Sequence, residues 1–142
     1  MTYRLQPVTD ETAEHFFELM RQNCAEVGMD FDEYLDGYQL DVGLGQAMLF
    51  YHDDALIGAA ILSSDEETRA SGLSDLYIIK DQRGAGHGKS LVNSCETLAE
   101  HFGQKAMFLI CEAELKPFYK ALGYKKDKKD GKHFFMAKPL KP

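Results

Sequence analysis

Cysteine is scarce and poorly placed for cross-linking. Cys24, Cys95 and Cys111 are odd in number, widely spaced, and include no C-x-x-C pair. That excludes a disulfide framework or a zinc site and points to reduced thiols in the cytoplasm. Each lies in an apolar stretch, so all three read as small buried hydrophobes. Long apolar runs are missing as well: none approaches the ~20 residues that a bilayer crossing needs. The opening Met1-Thr2-Tyr3-Arg4 moves straight into alternating residues, without the apolar core of a signal peptide. Internal repeats, linkers and biased tracts are lacking too, apart from the lysine-rich Lys125–Lys132, which reads most simply as a solvated turn between strands. What remains is 142 residues of ordinary composition, 44% hydrophobic and 27% charged. One domain over residues 1–142 is expected, large enough to bury a core.

Bases are nearly absent from the first third. Residues 10 to 54 carry twelve acids and the single base Arg21, whereas residues 116 to 142 carry nine lysines against Asp127 and Asp130. An acidic first third disfavours nucleic acid as a partner and suits a cationic ligand. Solvation of exposed helix faces would use the same charges, and composition alone leaves both readings open.

Periodicity orders the elements. Tyr3, Leu5 and Pro7 alternate with polar residues, as in a short strand near a sheet edge. Thr9 or Asp10 can cap a helix with Phe16, Phe17, Met20 and Cys24 on one face, ended by Gly28. Asp30 can cap a second short helix bearing Phe31, Tyr34, Leu35 and Tyr38. Gln46–His52 and Ala55–Leu62 flank Asp53-Asp54 as a hairpin, and Leu73–Ile79 forms a further strand. After a glycine-rich loop comes a helix with Leu91, Val92, Cys95, Leu98, Ala99 and Phe102 on one face, stopped by Gly103. Ala106–Cys111 reads as a buried strand. Leu115, Phe118, Tyr119 and Leu122 mark a last short helix ending at Gly123, and two strands around Asp130-Gly131 close the chain. The order is βααβββαβαββ, an α/β domain with a mixed, mostly antiparallel sheet flanked by helices.

The loop Gln82-Arg83-Gly84-Ala85-Gly86-His87-Gly88-Lys89-Ser90 between strand and helix carries the chemistry. A helix N-terminus leaves backbone N–H groups unpaired and partly positive. Glycines just before it let those groups approach a diphosphate, and Arg83 and Lys89 add cationic donors. The dinucleotide fingerprint G-x-G-x-x-G fails, because Gly84-x-Gly86 needs glycine where Lys89 stands, and Gly86-x-Gly88 needs it at Leu91. The P-loop pattern matches at Gly88-Lys89-Ser90 but needs glycine at Arg83, and Cys111-Glu112 stands where its magnesium-binding aspartate belongs. Three glycines in five residues between two bases exceed what a plain connecting turn requires.

Arg83-x-x-Gly86-x-Gly88 resembles the R/Q-x-x-G-x-G/A signature of the GNAT superfamily, the N-acetyltransferases that use acetyl-CoA. The likeness begins at Leu76-Tyr77-Ile78 and resumes at Pro117-Phe118-Tyr119-Lys120-Ala121-Leu122-Gly123-Tyr124, which is similar to the family's late F-Y-x-x-L-G-F/Y element. The order of elements is also the family's. The resemblance implies that backbone amides of Leu76, Tyr77 and Ile78 hold the pantetheine arm and the acetyl carbonyl, where they would stabilise an oxyanion. It implies that Arg83, Gly84, Ala85, Gly86, His87, Gly88 and Lys89 cradle the pyrophosphate, and that Tyr119 protonates the departing thiolate. Packing against Leu115 and Leu122 is the competing role for Tyr119. Asp75 is the candidate base, set against a plain hydrogen-bonding role.

Two positions depart from the family pattern: Glu112 stands where many members carry asparagine, and His87 where an aliphatic residue is common. No chemistry is assigned to either, and His52 and His133 read as structural. Family members line the acceptor side with their first helices, which here include Glu26, Asp30, Asp32, Glu33 and Asp36. The implied reaction is transfer of acetyl from acetyl-CoA, a co-substrate needing no metal, to a primary amine of a small molecule or peptide by direct attack. No serine or cysteine nucleophile with a partner base is visible. The expected partners are acetyl-CoA and a cationic amine, not nucleic acid or membrane, with a homodimer left open. The alternatives are a non-catalytic acyl-CoA-binding module on the same fold and a P-loop nucleotide hydrolase.

Overall fold

The computed structural model describes residues 2–141. Strand β1 (Tyr3–Pro7) is followed by helices α1 (Ala13–Val27) and α2 (Phe31–Gly43), then by strands β2 (Ala47–His52), β3 (Ala55–Ser64) and β4 (Ala70–Ile78). A 3-10 turn leads into helix α3 (His87–His101), then strand β5 (Ala106–Glu112), helix α4 (Lys116–Ala121) and strands β6 (Lys125–Asp130) and β7 (His133–Pro139). The sequence predicts this order. The strands pair in the order β1-β2-β3-β4-β5-β7-β6, a mixed and mostly antiparallel arrangement with β1 and β6 at its edges. The β4–β5 ladder is parallel and covers only Ala70↔Ala106, Ser71↔Met107 and Gly72↔Phe108.

The chain falls into two compact units. One comprises Met1–Leu62 and Asp75–Ser94, the other Ser63–Ser74 and Cys95–Pro142.

In the first unit, β1 to β3 form a meander. Its hairpin turns at Asp53 and Asp54, which take φ of 48° and 71°, the left-handed pair that a tight two-residue hairpin demands. Helix α1 starts later than its sequence suggests. Thr9 to Thr12 close a turn on themselves, with Thr12 N–H donating to Thr9 O at 3.1 Å, so Thr12 becomes the residue before the helix. Its buried face is Phe16, Leu19, Met20 and Cys24, while Phe17 is only half-buried. Gly28 ends it at φ 75°. Asp30 caps α2, its carboxylate accepting from Asp32 N–H at 3.1 Å. Among the described residues of α2, Tyr38 alone is fully buried, and Tyr34 faces solvent. Gly58 of β3 allows β4 to come close: a Cβ there would lie 2.5 Å from Tyr77 O.

In the second unit, β5, β7 and β6 bring Met107, Leu109, Cys111 and Met136 into the interior with Tyr119 and Tyr124. Glu96 is buried there, accepting from Tyr124 Oη at 2.7 Å and pairing with Lys138 Nζ at 2.9 Å. A buried charge persists only with such partners. Two expectations are corrected in this unit. Phe102 lies past the end of α3 and is 56% exposed, because the helix stops at His101 before the next apolar position returns to the interior. Most of the lysine-rich segment is not a turn but edge strand β6, paired to β7 from Lys125↔Ala137 to Asp130↔His133. Lysine on an edge strand keeps further strands from adding to it.

Candidate active site

The glycine-rich loop belongs to the first unit. Strand β4 ends at Ile78, a 3-10 turn spans Lys80–Gln82, and α3 begins at His87. Gly84 and Gly86 both occupy the left-handed region, at φ 86° and 84°. A Cβ on either would meet nothing within 4 Å, so backbone conformation rather than crowding requires glycine. The Ser90 N–H closes the first helical turn onto Gly86 O at 3.2 Å. The donors ahead of it have no intrahelical acceptor, and the helix dipole adds positive potential there. Lys89 is exposed and, among the described residues, enters no ion pair. A cradle of this kind suits phosphate oxygens.

The side chains flanking the cradle are already engaged. Arg83 grips Glu26 of α1 with two prongs, Nη1 to Oε1 at 2.7 Å and Nη2 to Oε2 at 2.9 Å. Its Nε donates to Ile78 O at 2.9 Å, and its guanidinium lies 5.3 Å from the centre of the Tyr77 ring. Tyr77 Oη donates to the same Glu26 carboxylate and lies 3.2 Å from Gln22 Oε1. The hydrogen bond from Arg83, then that from Tyr77, hold the Glu26 carboxyl below its ordinary range. Burial, then Glu26, push the Tyr77 phenol up to about 12. His87 turns inward: its Nδ1 shares a 2.8 Å hydrogen bond with Tyr3 Oη, and its ring lies 4.7 Å from that of His52. The His87 side chain is therefore engaged with Tyr3 and His52.

Asp75 sits at φ 51° within β4. A left-handed residue inside a strand interrupts the regular pleat, here just before Leu76 to Ile78. Tyr38 Oη donates to Asp75 Oδ1 at 3.2 Å and lies 3.4 Å from Cys24 Sγ. Desolvation first, then Cys24, raise the Tyr38 phenol well above its ordinary value, so it stays a donor. Asp41 is raised as well, chiefly by burial and further by the charge of Asp75, while its bond from Gln46 lowers it.

Tyr119 belongs to the second unit. It is buried on α4, with its ring edge-on to Phe118 at 5.0 Å and to Tyr124 at 5.8 Å. Leu115 is half exposed in the turn before the helix. Among the described residues the Tyr119 hydroxyl makes no hydrogen bond, and burial, then Cys111 and Cys95, push it up to about 12. Burial pushes Cys95 up to about 12 and raises Cys111, leaving both poor nucleophiles. A cleft of about 580 Å³ in the same unit is lined by Glu112, Glu114, Lys129, Lys132, His133 and Phe134.

Residues 5–134 match the family model described as acetyltransferase (GNAT) domain. The chain belongs to the GNAT acetyltransferase family. Protein ElaA of Escherichia coli K12 is 26% identical over 108 residues, 75% of this chain and 66% of that protein, so the chain spans just under two thirds of ElaA. Among solved structures, the PaiA N-acetyltransferase of Thermoplasma acidophilum in complex with coenzyme A aligns with a TM-score of 0.77 at 19% identity, over 99% of this chain and 100% of that one. An acetyltransferase of Thermus thermophilus gives 0.77 at 22% identity, over 99% and 98%. Both show the fold.

Within this GNAT chain, the first unit gathers Asp75, Leu76, Tyr77, Ile78 and the whole of Arg83–Lys89, while Tyr119 lies in the second. The family resemblance counts Glu26 among the acceptor-side acids, and no sequence pattern predicts its grip on Arg83, 57 residues away. No local signal marks such a pair. The partnership of Tyr38 with Asp75 was equally hidden, since Tyr38 read only as the apolar face of α2. Among the described residues no His, Cys, Asp and Glu cluster could hold a metal, and no helix is long and apolar enough to cross a membrane.

Proposed function

We propose that this GNAT protein, acting as one N-acetyltransferase domain over residues 1–142, transfers the acetyl group of acetyl-CoA to a primary amine by direct attack. The observation that carries this is the loop itself: two left-handed glycines opening a helix whose first N–H groups have no acceptor among the described residues. Those donors from Gly84 to Lys89, with the Lys89 ammonium, suit a pyrophosphate, and Arg83 fixes the loop's entrance. The backbone of Leu76, Tyr77 and Ile78, just after the break in the pleat at Asp75, supplies donors for the pantetheine arm and the acyl carbonyl. Bound acetyl-CoA contributes an activated acyl carbonyl and a thiolate leaving group. Asp75 serves as the base that takes the amine proton, and Tyr119 as the acid that gives one to the thiolate. Buried, unactivated thiols favour direct attack over an acyl-enzyme, and free cysteines suit a cytoplasmic location.

The acceptor is a cationic small molecule or peptide amine, drawn by the acidic α1 and α2. Exposed charge steers over about 8 Å at physiological salt. The test is CoA thiol release across amines, polyamines, aminoglycosides and peptide N-termini, each at rising salt. Release with a cationic amine, falling as salt rises, is expected. Acetyl-CoA binding without release for any acceptor would make the protein an acyl-CoA-binding module instead, and an anionic best substrate would overturn the acceptor assignment.

A further inference from the structure

One carboxylate of α1 bonds to a side chain from each of the two segments to which the proposed function gives the cofactor. The two prongs from Arg83 to Glu26 fix the first residue of the glycine loop. The Tyr77 hydroxyl fixes the middle of the β4 segment onto the same carboxylate, and Arg83 Nε returns to Ile78 O. We infer that Glu26 is a positioning residue: it holds the phosphate loop and the Leu76–Ile78 strand end in register, and Arg83 serves acetyl-CoA through Glu26 rather than by touching phosphate.

Geometry and charge support this reading. A guanidinium with two N–H groups on a carboxylate and a third on a carbonyl has its strongest donors committed. Glu26 and Arg83 keep 35% and 42% of their side chains accessible. A single exposed pair with that much water contributes little to stability, so removing it should spare the fold while loosening the loop. The carboxylate also neutralises Arg83, leaving Lys89 and the backbone N–H groups as the positive end of the cradle. The bonds of Glu26 to Arg83 and Tyr77 connect it to the cofactor segments of this proposal.

The inference rests on the acetyl-CoA reading, and the experiment separates the two. Acetyl-CoA affinity is measured by calorimetry for wild type, Glu26→Gln, Arg83→Gln and the double variant, with thermal melting and steady-state kinetics alongside. Each single change is expected to weaken acetyl-CoA binding roughly tenfold, the low end for losing charge-assisted hydrogen bonds. KM for acetyl-CoA should rise more than kcat falls, and the double variant should be no weaker than the weaker single one. An affinity unchanged or tightened in Glu26→Gln would overturn the inference, since freeing Arg83 would then leave or improve a direct grip on phosphate. Losses that add in the double variant would also overturn it. Should Glu26→Gln fail to fold, Arg83→Lys keeps the charge and loses the two-pronged contact. A loss of about threefold is expected there, and wild-type affinity would count against positioning. Wild type that does not bind acetyl-CoA at all would sink the function reading instead.

Discussion

The Tyr38 hydroxyl donates to Asp75 Oδ1 at 3.2 Å, and Asp75 itself holds φ 51° inside strand β4. A left-handed aspartate costs backbone energy that asparagine would bear equally well. Asp75→Asn therefore removes the charge and keeps the bend. Turnover should fall by about 10²-fold, at the low end for losing a general base, with acetyl-CoA affinity and melting temperature unchanged. The check is kcat beside calorimetry on the same variant. Full turnover in Asp75→Asn would reduce Asp75 to the residue that bends β4.

Tyr119→Phe should slow turnover about 10²-fold, at the low end for a general acid, because a thiol of pKa near ~8.5 can leave unprotonated. The ring contacts with Phe118 and Tyr124 survive in the variant, so the fold should hold. With its phenol pushed up to about 12, Tyr119 keeps its proton throughout the neutral and mildly alkaline range. Wild type should thus show no loss of this donor as pH rises towards that value. The variant's deficit should shrink as pH falls and solvent supplies the proton. The pH profiles of kcat on one acceptor decide the matter: profiles of equal height and shape would leave Tyr119 as packing alone.

Much of the fold is written locally. Gly28 and Gly123, the Asp53-Asp54 hairpin and the switch from period two to helical spacing each act within a few residues, so the element order could be read directly. Non-local features stayed hidden. A strand of Lys125-Lys126-Asp127-Lys128-Lys129-Asp130 contradicts strand propensity and forms because β7 offers a ladder beside it. Its lysines ride over aromatic faces, Lys129 lying 5.7 Å from the Phe134 ring centre and Lys128 5.7 Å from that of Phe135. No sequence signal marks Glu96, yet it lies buried with Tyr124 and Lys138, distant in sequence, as its partners. At the candidate site the glycine loop and Tyr119 were legible because their motifs are short and contiguous. The Glu26–Arg83 and Tyr38–Asp75 pairs were not, since nothing in a linear pattern specifies which acid a tertiary fold will bring to a given base.

The central claim is that the Arg83–Lys89 loop holds acetyl-CoA without a metal. The most direct measurement is calorimetric titration of acetyl-CoA in the presence of chelator, into wild type and into Gly86→Val. At φ 84° valine is strained by roughly 1–2 kcal/mol or more, so the loop should leave its cradle shape while the rest of the domain, followed by circular dichroism, stays folded. The account predicts saturable metal-independent binding by wild type and at least a tenfold weaker affinity in the variant, about what that strain imposes. Wild type that ignores acetyl-CoA in chelator and instead takes up a magnesium nucleotide, or a folded Gly86→Val with undiminished affinity, would contradict it.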